Sequence, residues 1–333
     1  MFSDIYYVWT TPTAELVLKT LGALLVIKSL VGISRFLLAQ LYGSQLARYN
    51  HPKTKGTACW ALVTGASDGL GKAYSDELLK RGWNVLLHGR NDAKLEAVKH
   101  ELLERHPGRK VDTVVADAGI YSSQSHVAVV DKVQSLPQNE PLTLLINNVG
   151  GMPFKPQYAP LCSTTHENID VCINVNLRFM THLIAALLPI LRDNSPSLIA
   201  NCGSIGGKIP PPYLAAYAAT KAYVHTLTQG LKSELAAEGE KWKDVDVVAF
   251  VIGNTLTAGN VRDIPFSTTS AACARSSLDN VGASNEALVS SHWTAWMAET
   301  LTTIAMNVLP RKAGTQVLAS EMRQRIEEER KTK

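Results

Sequence analysis

From residue 58 to residue 282 the chain alternates between short, unbroken apolar runs and longer stretches with helical apolar spacing. The runs CWALVT (59–64), NVLLH (84–88), VDTVVA (111–116), LTLLI (142–146), SLIANC (197–202) and VDVVAFV (245–251) have strand length and few polar interruptions. Such runs suit strands covered on both faces. Between them the pattern predicts helices over 70–81, 92–105, 165–192 and 215–238. Strand-helix alternation of this regularity predicts an α/β fold, a single domain built on a doubly wound parallel sheet. The Ser/Thr/Ala-rich stretch 266–277 opens a further helix, and the charged end SEMRQRIEEERKTK predicts a solvated one.

Ahead of the alternation lies the most apolar long segment, residues 16–42. Its length suffices to cross a bilayer. Lys19, Lys28 and Arg35 interrupt it, and each would cost roughly 2.5–3.5 kcal/mol at the membrane centre. An interfacial helix with snorkelling lysines fits as well, and an extra helix packed on the domain is the third option. Asp4 and Glu15 precede the segment, unlike a cleaved signal peptide. Arg48, Lys53 and Lys55 follow it, which turns the main domain toward the cytosol. The resulting division is a membrane-anchoring or interfacial segment (1–50), a main domain (56–310) after the polar linker HPKTKG, and a charged tail helix (311–333).

Composition narrows the classes. With 333 residues, 46% hydrophobic and 19% charged, the chain can bury one large core. A net charge of +4 without a dense Lys/Arg stripe excludes a nucleic-acid footprint. The five cysteines are scattered and form no Cys-x-x-Cys, which suits a reducing compartment and predicts neither disulfides nor a zinc site. His88, His166, His182 and His225 show no ligand spacing, so no metal is predicted and they read as packing or surface residues.

Three stretches carry candidate chemistry. TGASDGLG (64–71) sits between the first strand and the first helix. Gly65 permits the tight turn, Gly69 lets the backbone approach a pyrophosphate, and Gly71 allows close packing of the helix; Ser67, Asp68 and Leu70 complete the cradle. A helix N-terminus there offers free N–H groups and a positive dipole end to phosphates. After the second strand stands Arg90, where a dinucleotide site selective for a free ribose would want an acid. A guanidinium there favours a 2′-phosphate, hence NADP(H), over a solvated loop residue. In YAATK, Tyr217 and Lys221 are four apart and share a helical face. An ammonium beside a phenol predicts a lowered tyrosine pKa, useful for proton transfer near neutral pH.

With these residues in hand the sequence resembles the short-chain dehydrogenases/reductases, a family with a Rossmann-type sheet. Further landmarks fall in order: Asp117 after the third strand, NNVG (147–150) with Asn148 after the fourth, Asn176 in NVNL, and Ser204 thirteen residues before Tyr217. The resemblance covers roughly residues 58–282. The apolar N-terminus and GSIGGKIPPPYLAAYAATKAYV are similar to the membrane-associated very-long-chain 3-ketoacyl-CoA reductases and the related 17β-hydroxysteroid dehydrogenases. The closing RKTK is near a dilysine endoplasmic-reticulum retrieval signal, with Arg330 in place of a lysine.

The resemblance implies roles. Tyr217 is the general acid, Lys221 lowers its pKa and holds the nicotinamide ribose, Ser204 polarises the carbonyl, and Asn176 organises a water relay. Asp117 meets the adenine and Thr257 the nicotinamide amide. Duller alternatives are a helix-cap hydroxyl for Ser204, a satisfied amide for Asn176 and a turn acid for Asp117. The sequence departs from the family at VIGNTLTAGN (251–260), where Ile252 replaces a proline. The implied substrate is a hydrophobic ketone or acyl thioester met at a membrane surface, the endoplasmic reticulum, with the catalytic domain facing the cytosol. Its pocket falls within 151–163, 207–214 and 257–310. Relatives often pair through their long helices, so the resemblance allows a homodimer. The competing readings are a steroid or pathway-specific polyketide or lipid-like ketone in the same site, and a non-catalytic binding protein on this fold.

Overall fold

The computed structural model describes residues 44–120, 125–283, 285–308 and 310–331, with eight isolated helical positions between residues 16 and 34. The choice between a spanning and an interfacial helix at 16–42 therefore lies outside the described residues, as do the last two residues of RKTK.

Seven parallel strands form one sheet in the order β3-β2-β1-β4-β5-β6-β9. They are β1 (Trp60–Thr64), β2 (Asn84–Gly89), β3 (Val111–Val115), β4 (Leu142–Asn147), β5 (Ser197–Cys202), β6 (Val245–Val251) and β9 (Leu288–Ser290). The order reverses between β1 and β4, which opens a crevice at the carboxyl ends of those strands. A small parallel pair, β7 (Thr255–Leu256) and β8 (Thr268–Thr269), sits apart from the sheet.

Residues alternate between the two faces, and each face has its own core. Ala61, Val63, Leu87, Ile146 and Ala200 pack under α1 (Gly69–Lys80), α2 (Asp92–Arg105) and α7 (Ser270–Asp279). Leu62, Leu86, Leu145, Ile199 and Val247 face α3 (Ser125–Gln134), the helix pair α4 (His166–Ile173) and α5 (Phe179–Asp193), and α6 (Ala215–Ala237). Coverage on both sides explains why the strands lack polar alternation. Caps fix several helix starts: Asn91 accepts from Lys94 N, Thr165 from Asn168 N, and Thr269 from Ala272 N.

Two features depart from the sequence expectation. The single helix expected over 165–192 is interrupted by a π turn at Asn174–Arg178 between α4 and α5. Among the described residues this run, His166–Asp193, is the one helix long and apolar enough to cross a membrane; half of its most apolar window is buried against the core. The tail helix α9 (Arg311–Lys331), which follows α8 (Trp293–Val308), is solvated on one face only. Ala319, Met322 and Glu329 on its other face are buried. Helical spacing of these three, not net charge, decides which side docks.

Candidate active site

The turn from β1 into α1 is closed up on itself. Gly65 and Gly69 have positive φ, 66° and 53°, which side chains with a Cβ rarely adopt. A Cβ at Gly65 would lie 2.9 Å from Val149 Cα, and one at Gly71 only 2.1 Å from the Gly65 carbonyl oxygen. Gly71 thus serves the approach of α1 to the turn itself. Asp68 caps α1 by accepting from Gly69 N at 2.6 Å. Ser67 is half-buried in the turn, and Leu70 packs against the core. The first N–H groups of a helix have no intrahelical partner, so this closed turn fits a phosphate group.

Asn148 turns inward. Its Nδ2 donates to the carbonyls of Thr64 (3.0 Å) and Gly65 (3.2 Å), and its N–H donates to Thr64 Oγ1 at 2.9 Å. It staples the end of β4 to the glycine turn. Thr257 covers the turn from the other side, its Cγ2 3.2 Å from where a Gly69 Cβ would stand. Arg90 is exposed at the end of β2. Asp117 Oδ1 accepts from Gly119 N at 2.8 Å, so one oxygen serves the local turn.

Ser204 and Tyr217 meet at the carboxyl end of β5. Ser204 Oγ accepts from Gly206 N at 3.1 Å, capping a short 3₁₀ turn, and a Cβ at Gly206 would lie 3.5 Å from Ser204 Oγ and 3.8 Å from Tyr217 Cε1. The next turn lies directly on α6: a Cβ at Gly207 would be 2.6 Å from the Lys221 carbonyl carbon. Lys221 Nζ donates to the Cys202 carbonyl at 2.9 Å and stands 5.8 Å from the Tyr217 ring centroid. Gly150 lets Asn176 and Lys221 converge, since a Cβ there would meet Asn176 Oδ1 at 2.9 Å and Lys221 Nζ at 3.1 Å. The π turn presents Asn176, whose Oδ1 accepts from Gly151 N (2.8 Å) and whose Nδ2 donates to Gly151 O (2.7 Å).

The expected lowering of the tyrosine pKa is corrected. Burial pushes the Tyr217 phenol up, because desolvating phenolate outweighs the opposing Ser204 hydrogen bond. Burial likewise lowers Lys221. Spacing alone reveals a charged neighbour but not the removal of water.

His225, read as packing, has a sharper place. Its Nε2 accepts from Ser204 N at 3.3 Å, and a Cβ at Gly203 would clash with it at 2.3 Å. Burial holds its pKa down to about 4, so the ring backs Ser204 as a neutral acceptor. Sequence reasoning placed Tyr158 only within the pocket stretch 151–163, and it missed Arg325 and Glu329, which bond that stretch. Tyr213, which precedes α6, has φ 64, a strained value for a non-glycine residue beside the site. Of the described residues no group of three or more His, Cys, Asp or Glu could hold a metal.

The family model described as short chain dehydrogenase matches residues 59–264. A very-long-chain 3-oxoacyl-CoA reductase of Anas platyrhynchos is 34% identical over 184 residues, 55% of this chain and 57% of that one. The chain thus spans little more than half of that relative. A Caenorhabditis elegans protein carrying a steroid-dehydrogenase name is 35% identical over 233 residues, 69% of this chain and 71% of that one. A 7β-hydroxysteroid dehydrogenase structure shares the fold, with TM-score 0.66 at 20% identity, covering 81% of this chain and 100% of that one. A short-chain dehydrogenase from Sphingobium yanoikuyae in complex with NADPH aligns with TM-score 0.59 at 25% identity, covering 76% and 96%.

Proposed function

The chain belongs to the short-chain dehydrogenase family, and on that premise we propose that it is an NADPH-dependent reductase of 3-ketoacyl thioesters. The observation that carries the proposal is the convergence of Ser204, Tyr217 and Lys221 at the end of β5, beside the glycine turn. NADP(H) is the cofactor: the turn at Gly65–Gly71 and the α1 N-terminus would hold its phosphates, and exposed Arg90 its 2′-phosphate. When bound, it supplies the hydride.

The chain's own residues do the rest. Ser204 Oγ accepts from Gly206 N, and its single proton would go to the substrate carbonyl rather than to Tyr217. A preorganised donor at that point stabilises the oxyanion as charge develops. Tyr217 gives its proton to the forming alkoxide, and its raised pKa keeps that proton in place until the transfer. Lys221 holds the ribose and then returns a proton toward Tyr217. Asn176 fixes the Gly150–Gly151 backbone beside Lys221 Nζ, where a water relay would begin. Asp117 would border the adenine end of the cofactor and Thr257 its nicotinamide end, while Asn148 holds the turn shut. Relatives named for acyl-CoA reduction support a lipid substrate and, with the apolar segment at 16–42, a cytosol-facing position on the endoplasmic-reticulum membrane. The steroid-dehydrogenase name of the nematode relative keeps a ketosteroid as the second reading.

The test is NADPH oxidation by purified protein with a long-chain 3-ketoacyl-CoA, a 17-ketosteroid and small diffusible ketones. Thioester turnover should fall by about 10²–10⁴-fold in Tyr217→Phe. Turnover of the steroid alone would move the substrate and keep the mechanism. No turnover with NADPH bound would overturn the enzymatic reading.

A further inference from the structure

The tail helix α9 docks on the loop that carries Tyr158. Glu329, 7% exposed at its side chain, accepts from Gln157 N at 2.8 and 3.0 Å and from Tyr158 N at 3.4 Å, and pairs with Lys155 at 3.3 Å. One turn earlier Arg325, 10% exposed, reaches across two loops. Its Nη1 donates to Tyr158 OH at 3.2 Å and Asn260 Oδ1 at 3.4 Å, and its Nη2 to Asn254 Oδ1 at 3.2 Å. Its Nε donates to Glu321 at 3.1 Å. A buried guanidinium with four acceptors holds its partners in a fixed fork. Backbone and ring of Tyr158 are thus both fixed by one helix.

The Tyr158 loop is tied to the residues just ahead of α6. Ala159 N donates to the Tyr213 carbonyl at 3.2 Å, tying this loop to the strained turn that starts α6. Tyr158 and Tyr213 line one cavity of about 540 Å³ with Pro156, Ser163 and Ile326. Because the Tyr158 oxygen accepts from Arg325, its own proton is left to donate elsewhere.

We propose that Tyr158 donates a hydrogen bond to a second oxygen of the substrate, beyond the carbonyl that is reduced, and that Arg325 and Glu329 are the positioning residues that aim it. Resting on the thioester reading, this makes Tyr158 the specificity-determining partner of the thioester carbonyl. Ser204 and Tyr217 take the ketone. A site built to hydrogen-bond an acceptor discriminates against the analogue that lacks it.

The experiment compares three substrates of one chain: 3-oxododecanoyl-CoA, ethyl 3-oxododecanoate and 2-undecanone, which lacks the second carbonyl. The readout is the ratio of kcat/KM for each two-oxygen substrate to that for 2-undecanone. Tyr158→Phe should lower this ratio about tenfold, mostly through KM. Arg325→Gln should do the same, Arg325→Lys should restore part of it, and the Tyr158→Phe/Arg325→Gln double variant should fall no further. NADPH Kd and the denaturation midpoint separate this from misfolding. An unmoved ratio in Tyr158→Phe, or additive losses in the double variant, overturns the proposal. Wild-type activity on the ester but none on the CoA thioester would remove the thioester reading. The ester-to-ketone ratio would then judge Tyr158 by itself.

Discussion

The two sides of the site are built in different ways. The cofactor side is a backbone construction, in which Gly65, Gly69 and Gly71 close a turn that no Cβ could enter and Asn148 staples it through main-chain carbonyls. The side proposed for substrate is a side-chain construction, in which Arg325, Glu329 and Arg262 of distant segments pin two loops. A backbone cradle tolerates almost no substitution but binds a ligand common to the family. A side-chain clamp can be retuned residue by residue, which suits the part of the site that chooses the substrate.

The largest effect should come from breaking the cradle. Gly71→Ala places a methyl group 2.1 Å from the Gly65 oxygen, and neither partner is a flexible side chain. Overpacking of this kind costs about 1–3 kcal/mol, so displacement of the turn should weaken NADPH binding about a hundredfold. Fluorescence titration of NADPH measures it. If Gly71→Ala instead spared NADPH and changed only substrate KM, the division between the two sides would be wrong.

What the sequence revealed follows the same division. The glycine turn was legible because its constraint is local: three glycines in eight residues between a strand and a helix admit few conformations. The helix over 92–105 was legible to the residue because Asn91 caps it. Arg325 and Tyr158 lie 167 positions apart, and Glu329 and Gln157 lie 172 apart, so no local pattern links them. The tail therefore read as a solvated charge run. The π turn was hidden because a helix and a helix with one inserted residue share nearly the same apolar spacing. The sign of the Tyr217 shift needed burial, which four-residue spacing cannot supply.

An intermediate effect tests whether the two sides share one acid limit. His88, whose carbonyl accepts from Ala66 N, lies under the cradle, and His225 backs Ser204. Burial lowers both imidazoles to about 4 from an ordinary 6.5. Between those values the unfolded chain binds more protons than the folded one, so unfolding free energy falls as pH falls. The stability is complete above pH 6.5 and is lost toward pH 4, by a ceiling on the order of 3 kcal/mol for each group. Denaturant midpoints at pH 7 and pH 5 measure the slope. His88→Phe, which keeps a ring against Phe179 at the 4.9 Å stacking distance, should flatten about half of it. A slope untouched by that change would place the acid limit entirely on the catalytic side.

The smallest effect belongs to the outer edge of the clamp. Arg262 is 19% exposed and pairs with Glu321 at 3.3 Å and Glu328 at 2.8 Å, but Glu328 is 59% exposed and strongly screened. Exposed pairs contribute about 0–1 kcal/mol, and a third acceptor at Gln324 (2.6 Å) places Arg262 near the top of that range. Arg262→Ala should therefore lower the denaturation midpoint slightly and loosen α9 without disturbing the glycine turn. NADPH Kd is the discriminating readout, because Arg262 lies in the loop that follows Thr257 and its carbonyl accepts from Asn254 Nδ2. A rise in substrate KM with constant NADPH Kd would show that the clamp acts on one side alone. A parallel loss of NADPH would mean the Thr257 loop transmits strain into the cradle, and the two constructions would have to be treated as one.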